Sequence, residues 1–235
     1  MPETVSMKII AKIHSDFTDK FGIPRQSGLV EALRATVVFE PEYRNADALR
    51  GLEGYSHIWL IWNFSESARD GWSPTVRPPR LGGNARRGVF ATRSPFRPNP
   101  LGLSSVRLEG IRQTEQGTVL DVSGADLLDG TPIFDIKPYL PYVDCHSDAV
   151  GGFASGGAED GLTVNFPPAL LERVPERLRP ALGGILACDP RPRYQEDTDR
   201  VYGLSFGGVN VRFTVAAGVL TVREVAPKEQ GAENQ

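Results

Sequence analysis

Short apolar runs recur along the first 140 residues, and they are rich in β-branched and aromatic side chains. Glycine, proline, asparagine or aspartate bounds each run, and this combination is typical of β-strands. The one indication of a helix in this part lies at residues 45–51. Repeated short strands with few helices favour a barrel or a sandwich over a βαβ sheet. The predicted strands are residues 7–14, 35–39, 57–64, 89–92, 103–111, 118–123 and 131–136.

The pattern changes at residues 147–161, where glycine, alanine and serine predominate, as in a flexible connection. Leucine and valine then recur at helical spacing across residues 168–187, and Pro175 divides them into two predicted short helices. Three further strands are predicted at residues 201–206, 209–215 and 219–225. The predicted fold class is therefore mainly β, with a strand-rich domain at residues 1–147 and a smaller α+β domain at residues 148–235.

Composition narrows the class of protein. Apolar residues make up 40% of the 235 residues, charged residues make up 23%, and the formal net charge is −3. No apolar run approaches the ~20 residues that a membrane-spanning helix needs, and the start of the chain has no signal-peptide pattern. Cys145 and Cys188 fit no metal or disulfide spacing. We therefore expect a cytoplasmic protein that has neither a membrane segment nor a bound metal.

Positive charge is concentrated between Gly71 and Leu108, where seven arginines occur without a single acidic residue. The planar donor fork of arginine suits carboxylates and phosphates. Nearby prolines stiffen this segment, and its glycines permit close approach to a ligand. The segment indicates a site for an anionic ligand, with a solvated basic loop as the alternative. The seven residues are Arg77, Arg80, Arg86, Arg87, Arg93, Arg97 and Arg107.

Other clusters also carry candidate chemistry. In the sequence FGIPRQ, a proline presets the backbone so that Arg25 and Gln26 project together towards a ligand. Asp135, Lys137 and Tyr139 occupy alternate positions, so a continuing strand would place them on one face. That face could be an acid–base and charge-pairing site, or a structural salt bridge beside a tyrosine. The sequence leaves both interpretations open.

Together the segments FGIPRQ, RPPRLGGNARRGVFATRSPFRPNPLG, DLLDGTPIFDIKPYLPY and DPRPRY resemble the TrmO family, formerly called TsaA or YaeB. The resemblance extends over nearly the whole chain. It implies an S-adenosylmethionine-dependent tRNA methyltransferase that modifies N6 of N6-threonylcarbamoyladenosine, beside the anticodon of threonine tRNA. It also implies an N-terminal β-barrel, unlike Rossmann-type methyltransferases, and a homodimer. An S-adenosylmethionine-binding regulator or an RNA-binding barrel without catalysis is the alternative function.

The chemistry of this reaction suggests roles for individual residues, and the resemblance implies those that bind the cofactor. We expect Asp135 or Tyr139 to accept the proton of the target nitrogen, and Lys137 to hold the threonyl carboxylate together with an arginine such as Arg97. The expected cofactor-binding residues are Pro24, Arg25, Gln26, Ser65, Glu66, Arg93, Leu103, Leu127, Leu128, Asp129 and Gly130. The expected contacts to substrate and tRNA are Arg77, Arg80, Arg86, Arg87, Arg97, Asn99, Arg191, Arg193 and Tyr194.

Overall fold

Two β-sheets with separate hydrophobic cores form the fold in the computed structural model. The structure describes residues 4–67, 71–81, 85–155, 161–191 and 199–228. Residues of the first sheet alternate between buried and exposed positions, as strands covering a core on one face must do. In β3, for example, Ile58, Leu60 and Trp62 are buried. The prediction of a mainly β fold is confirmed.

The first sheet is a closed barrel of six strands. Its strands are β1 (Ala11–Ser15), β2 (Arg34–Phe39), β3 (His57–Asn63), β6 (Leu101–Thr114), β7 (Gly117–Ser123) and β8 (Pro132–Pro138). Their order around the barrel is β1-β2-β7-β6-β3-β8, and every neighbouring pair is antiparallel. The connection between β3 and β6 contains a short ribbon, which is made of β4 (Thr75–Val76) and β5 (Arg87–Gly88).

The second sheet lies in the C-terminal part of the chain. It consists of β9 (Thr163–Asn165), β10 (Tyr202–Phe206), β11 (Val209–Ala216) and β12 (Val219–Pro227), in the order β10-β11-β12-β9. The α-helices in the described parts of the chain are α1 (Pro141–Asp144), α2 (Pro168–Leu171) and α3 (Arg179–Ala187). Pro175 precedes a 3₁₀ turn between α2 and α3, so the predicted interruption of the helical region is confirmed.

The connection between β1 and β2, residues 16–33, joins the two cores. Its side chains Phe17, Val30 and Leu33 are buried among α3 and the second sheet instead of in the barrel. The rings of Phe17 and Phe206 lie 5.1 Å apart between centroids. Because this connection also contains the FGIPRQ segment, the C-terminal part of the chain supports the position of Arg25 and Gln26.

Some predicted elements were wrong. Residues 89–92 form a 3₁₀ turn at Val89–Ala91, because Val89 alone is buried there and Phe90 points into solvent. The helix predicted at residues 45–51 is also a 3₁₀ turn, and the Asn45 side chain at its start accepts a hydrogen bond from Asp47 N–H at 3.0 Å. Strands β4, β5 and β9 were not predicted. The domain division at residue 147 stays a prediction.

Among the described residues, no helix is long and apolar enough to cross a membrane. No group of three or more His, Cys, Asp or Glu side chains within those ranges could hold a metal ion.

Candidate active site

Three connections leave the barrel at the same end, because its strands alternate in direction. They are residues 16–33 after β1, residues 64–100 after β3 and residues 124–131 after β7. Backbone hydrogen bonds join the first and third connections, since Gly28 N–H donates to Gly124 O at 2.9 Å. The cofactor-binding residues predicted from the resemblance all lie in these connections, except Leu103, which is the third residue of β6.

Side-chain contacts also link the connections. The Arg93 guanidinium donates a hydrogen bond to Gln26 Oε1, which joins the second connection to the first. The Lys20 ammonium donates to the backbone oxygen of Glu66. Ser65 and Glu66 belong to a 3₁₀ turn that begins two residues after the end of β3. The separate segments that contain the predicted cofactor-binding residues therefore meet at one end of the barrel.

Within the third connection, the four predicted residues have different environments. Leu127 is buried in the barrel core, and Leu128 packs against the second core, so both side chains stabilise the fold. Asp129 accepts a hydrogen bond from Ser15 N–H at 3.1 Å and remains about half exposed. Gly130 has a φ of 76°, a left-handed conformation that glycine adopts readily. The carboxylate of Asp129 and the backbone of the turn are therefore the groups that could contact a ligand.

Asp126, just before this turn, is a candidate that the sequence reasoning did not select. Its Oδ1 accepts a 2.6 Å hydrogen bond from the Ser104 hydroxyl, which in turn accepts one from the Trp62 indole at 3.0 Å. Burial raises the pKa of the Asp126 carboxyl above its ordinary value, and the Ser104 hydrogen bond and the Arg93 charge offset this only in part. The available signal was its place at the start of the DLLDG segment.

The outer face of β8, β3 and β6 carries the predicted catalytic residues. Ile61 of β3 lies between Asp135 on β8 and Leu103 on β6, and Trp59 lies opposite Lys137 in the next row. Lys137 Nζ is 2.9 Å from Asp135 Oδ2, and both side chains are partly exposed. The structure thus brings Asp135 and Lys137 together on the outside of the barrel.

Tyr139 follows the end of β8 on the same outer face. Its N–H donates to His57 O at 3.0 Å, and its ring centroid lies 5.5 Å from that of Trp59. Asp135 and Leu103 are both neighbours of Ile61, two residues from the end of β3 where the connections emerge. The structure therefore puts the Asp135 end of this face nearest to the predicted cofactor residues. Tyr139 lies at the far end.

A cleft of about 1580 Å³ separates the arginine-rich connection from the C-terminal part of the chain. Asp135, Lys137 and Tyr139 do not line this cleft, so the predicted catalytic residues lie on a different surface from the cleft-lining residues. The lining of the cleft includes the cations Arg25, Arg77, Arg86 and Arg93, and from the C-terminal part of the chain Phe153, Leu162, Cys188 and Asp189.

The predicted tRNA-binding residues differ in the hydrogen bonds that they form within the protein. Arg86 donates to Thr75 Oγ1 at 2.9 Å, and Arg97 donates to Thr92 O at 3.3 Å. Arg87 contacts the backbone oxygen of Arg86, and Asn99 is exposed. Among the described residues, none of Arg77, Arg86, Arg87 and Arg97 forms an ion pair with an acidic side chain. Their charge is therefore available to an anion.

Arg191 has a different environment. Its guanidinium makes two hydrogen bonds to Asp189, at 2.8 and 2.9 Å. Although burial opposes ionisation of Asp189, this guanidinium outweighs it and lowers the pKa of the carboxyl. The predicted contact of Arg191 with tRNA stays a prediction. The Arg80 side chain, Arg193 and Tyr194 lie outside the described residues.

Comparison with known proteins explains this combination of elements. The model of the tRNA-methyltransferase O N-terminal domain matches residues 12–145, and that of the TrmO C-terminal domain matches residues 161–228. The chain belongs to the TrmO family. The family predicted from the sequence is therefore confirmed, over both sheets of the structure.

Individual TrmO relatives agree over most of their length. A tRNA (adenine(37)-N6)-methyltransferase of Escherichia coli is 40% identical, over 93% of this chain and 97% of the relative. A protein of Pseudomonas aeruginosa named as a putative S-adenosylmethionine-dependent methyltransferase is 44% identical, over 89% of this chain and 92% of its own. The crystal structure of TrmO from P. aeruginosa superposes with a TM-score of 0.78 at 36% identity, covering 97% of this chain and 99% of that one.

Proposed function

We propose that this protein transfers a methyl group from S-adenosylmethionine to N6 of N6-threonylcarbamoyladenosine, beside the anticodon of threonine tRNA. The observation that carries the proposal is the convergence of Gln26, Arg93 and the Asp126–Gly130 turn at the barrel end, next to the Asp135–Lys137 face. Relatives named as tRNA (adenine(37)-N6)-methyltransferases support the reaction class.

The residues at the barrel end fit the chemistry of S-adenosylmethionine, which carries a carboxylate, an ammonium, ribose hydroxyls and an adenine. The Arg93 guanidinium and the Gln26 amide suit the carboxylate and the edge of the adenine. The carboxylates of Asp126 and Asp129 can accept hydrogen bonds from the ammonium or the hydroxyls. Pro24, Leu103 and the turn at Gly130 would complete this site. When bound, the cofactor supplies a methyl group on a positively charged sulfur, which is a strong electrophile.

The protein's own task in the reaction is to position the target nitrogen and to take up its proton. N6 of the modified base resembles a urea nitrogen and is a weak nucleophile while it keeps that proton. Asp135 or Tyr139 accepts the proton as the new nitrogen–carbon bond forms. Lys137, whose ammonium lies 2.9 Å from Asp135, stabilises nearby negative charge.

Lys137 and Arg97 bind the threonyl carboxylate of the modified base. Arg97 uses one nitrogen to hold Thr92 O, and a guanidinium carries five N–H donors in all. It can therefore hold a carboxylate while it remains fixed to its own loop. A bidentate contact of this kind sets the orientation of the base as well as its affinity.

Binding of the tRNA body involves the remaining arginines of residues 71–108 and the C-terminal domain, residues 148–235. Each phosphate that the protein neutralises releases counterions, so tRNA affinity should fall steeply as salt is added. A protein of net charge −3 can bind tRNA in this way when its positive charge is concentrated on one surface. The proposed location of the protein is the cytoplasm, where tRNA is modified.

The protein is also proposed to act as a homodimer. Leu103 is exposed on the outer face of β8, β3 and β6, and so are Tyr142 and Val143 of α1, a helix that contacts this face through the hydrogen bond from the Trp59 indole to Asp144 at 3.0 Å. Such a group of exposed apolar side chains is more common at an interface than on a free surface. Light scattering on a gel-filtration column should give twice the chain mass of 25.6 kDa. A mass of one chain would contradict the dimer.

The reaction is tested with labelled S-adenosylmethionine and threonine tRNA prepared with and without the threonylcarbamoyl group. Mass analysis of the nucleosides should find one added methyl group on the modified adenosine alone. Arg97→Ala should reduce the preference for modified over plain adenosine more than it reduces cofactor affinity. Cofactor binding without any methylated nucleoside would favour the alternative, a non-catalytic S-adenosylmethionine sensor.

The proton acceptor is tested with Asp135→Ala, which should bind the cofactor normally and lose methyl transfer. Asp47→Ala is a matched control, because Asp47 also forms an exposed ion pair, with Arg50, but lies at the opposite end of the barrel. Near-normal turnover by Asp135→Ala would remove Asp135 from the mechanism and leave Tyr139 as the candidate.

A further inference from the structure

Two exposed aromatic rings lie on the wall of the arginine-lined cleft. Trp72 is 51% exposed and Phe90 is 73% exposed, and both line the cleft. Their ring centroids are 6.2 Å apart and their planes differ by 24°. Among the described residues, neither ring belongs to the two hydrophobic cores. Their exposure therefore needs a reason other than the stability of the fold.

The backbone holds the two rings at a fixed separation. Ser73 N–H donates to Phe96 O at 3.2 Å, and Val89 N–H donates to Pro74 O at 3.0 Å. Directly beyond the second bond, β4 pairs with β5. Val89 is buried and anchors the 3₁₀ turn that presents Phe90 on the opposite side. The ring pair is thus built into the ribbon and does not depend on a loose loop.

Charge around the rings identifies the kind of ligand. Arg86 is fixed to the ribbon through Thr75, and Arg77 also lines the cleft. The sequence from Gly71 to Leu108 contains no acidic residue that could neutralise them. Exposed aromatic faces beside unneutralised cations are typical of surfaces that bind single-stranded nucleic acid, where bases stack and phosphates pair with arginine.

We propose that Trp72 and Phe90 form a stacking platform for one unpaired base of the tRNA anticodon loop, while Arg77 and Arg86 contact the adjacent phosphates. The proposal rests on the proposed function, because it takes tRNA as the ligand of the cleft. It adds a second point of recognition, separate from the pocket for the modified adenosine. Two rings on a cationic ribbon offer a stacking surface for a base, whereas an apolar protein surface would need a larger patch.

The test measures the binding of an unmodified anticodon stem-loop RNA by fluorescence anisotropy. Trp72→Ala and Phe90→Ala should each raise the Kd for this RNA by about 5- to 150-fold, the range that loss of one base stack gives. Trp72→Phe should recover most of the affinity. Tyr55→Ala is the control, because Tyr55 is an exposed aromatic residue in the β2–β3 connection at the opposite end of the barrel, and it should not change the Kd.

A second RNA, whose loop bases are closed into a duplex, separates stacking from charge. The Trp72 and Phe90 variants should bind this duplex as the unaltered protein does, since only phosphate contacts remain. Unchanged stem-loop affinity, or an equal loss of affinity for stem-loop and duplex, would overturn the proposal. So would variants that bind RNA normally but lose self-association, because the rings would then serve a protein contact.

Stem-loop binding does not require methyl transfer, so the outcome is separable from that of the proposed function. If the protein binds the stem-loop through its rings but yields no methylated nucleoside, the stacking platform stands and the reaction fails. Thermal melting of each variant checks folding. Phe90 is largely exposed in a turn, so Phe90→Ala provides a readout even if Trp72→Ala alters the ribbon.

Discussion

Replacement of Gly184 by alanine tests how the C-terminal part of the chain supports the candidate active site. Gly184 lies in α3 and faces Val30 of the β1–β2 connection, four residues after Gln26. An added Cβ would lie 2.6 Å from Val30 Cγ1 and 3.4 Å from Cγ2. Val30 is buried and β-branched, so it cannot rotate away from the new methyl group. Either α3 or the connection must shift.

The expected loss of stability is the difference between two effects. Overpacking of a buried contact costs about 1–3 kcal/mol, whereas alanine in place of glycine within a helix gains about 0.5–1 kcal/mol. The net loss is up to about 2.5 kcal/mol, which lowers Tm by up to about 10 °C in a chain of this size. Gly183→Ala is the matched control, since its Cβ would meet nothing within 4 Å. That variant should gain only the stabilisation that alanine gives a helix in place of glycine, and its Tm should rise by about 1–4 °C.

Calorimetric melting measures the two shifts, and titration calorimetry measures the affinity for S-adenosylmethionine. We expect Gly184→Ala to bind the cofactor more weakly, because displacement of Val30 moves the connection that contains Arg25 and Gln26. Gly183→Ala should bind it normally. If Gly184→Ala were as stable as Gly183→Ala, the contact between α3 and Val30 would be refuted, and with it the support of the site by the C-terminal part.

Two other substitutions test the interior of the barrel. Gly102→Ala would drive a Cβ into the Trp62 ring that covers this glycine, so urea denaturation should find a loss of about 1–3 kcal/mol, and an unchanged midpoint would contradict this packing. Burial raises the pKa of the Asp126 carboxyl in the folded protein above its value of 3.8 in the unfolded chain, so the folded state binds the proton more tightly. Ionisation of this carboxyl therefore reduces the free energy of unfolding as pH rises from 3.8 through the folded-state pKa. Asp126→Asn should therefore be the more stable protein at pH 7, by a margin that narrows as pH falls towards 4, whereas a margin independent of pH would refute the assigned burial effect.

Local sequence patterns predicted most of the barrel. The alternation of Ile58, Leu60 and Trp62 identifies β3, because a strand that covers a core on one face buries every second residue. The same reasoning failed at residues 89–92. Val89 is apolar and β-branched there, yet β5 ends just before it and the chain turns. Strand propensity indicates which residues suit a sheet but not whether a partner strand is available.

The sequence predicted the separate segments of the candidate site but not the contacts between them. Gln26 and Arg93 are separated by 67 residues and meet through a hydrogen bond that only the barrel topology creates. The shared face of Asp135 and Lys137 was predictable, because it depends on strand period alone. The burial of Val30 in the second core was not predictable, because the sequence does not indicate which of two cores will bury an apolar residue of a connection.

A crystal structure with bound S-adenosylhomocysteine, the demethylated product, would show where methyl transfer takes place. We expect its sulfur at the loop end of the barrel, between the segment at Arg25 and Gln26 and the turn at Asp129, with its open side towards Asp135. Binding of the product beside Arg34, Glu109 and Asp121, on the outer face of β2, β6 and β7, would contradict the assignment of the active site.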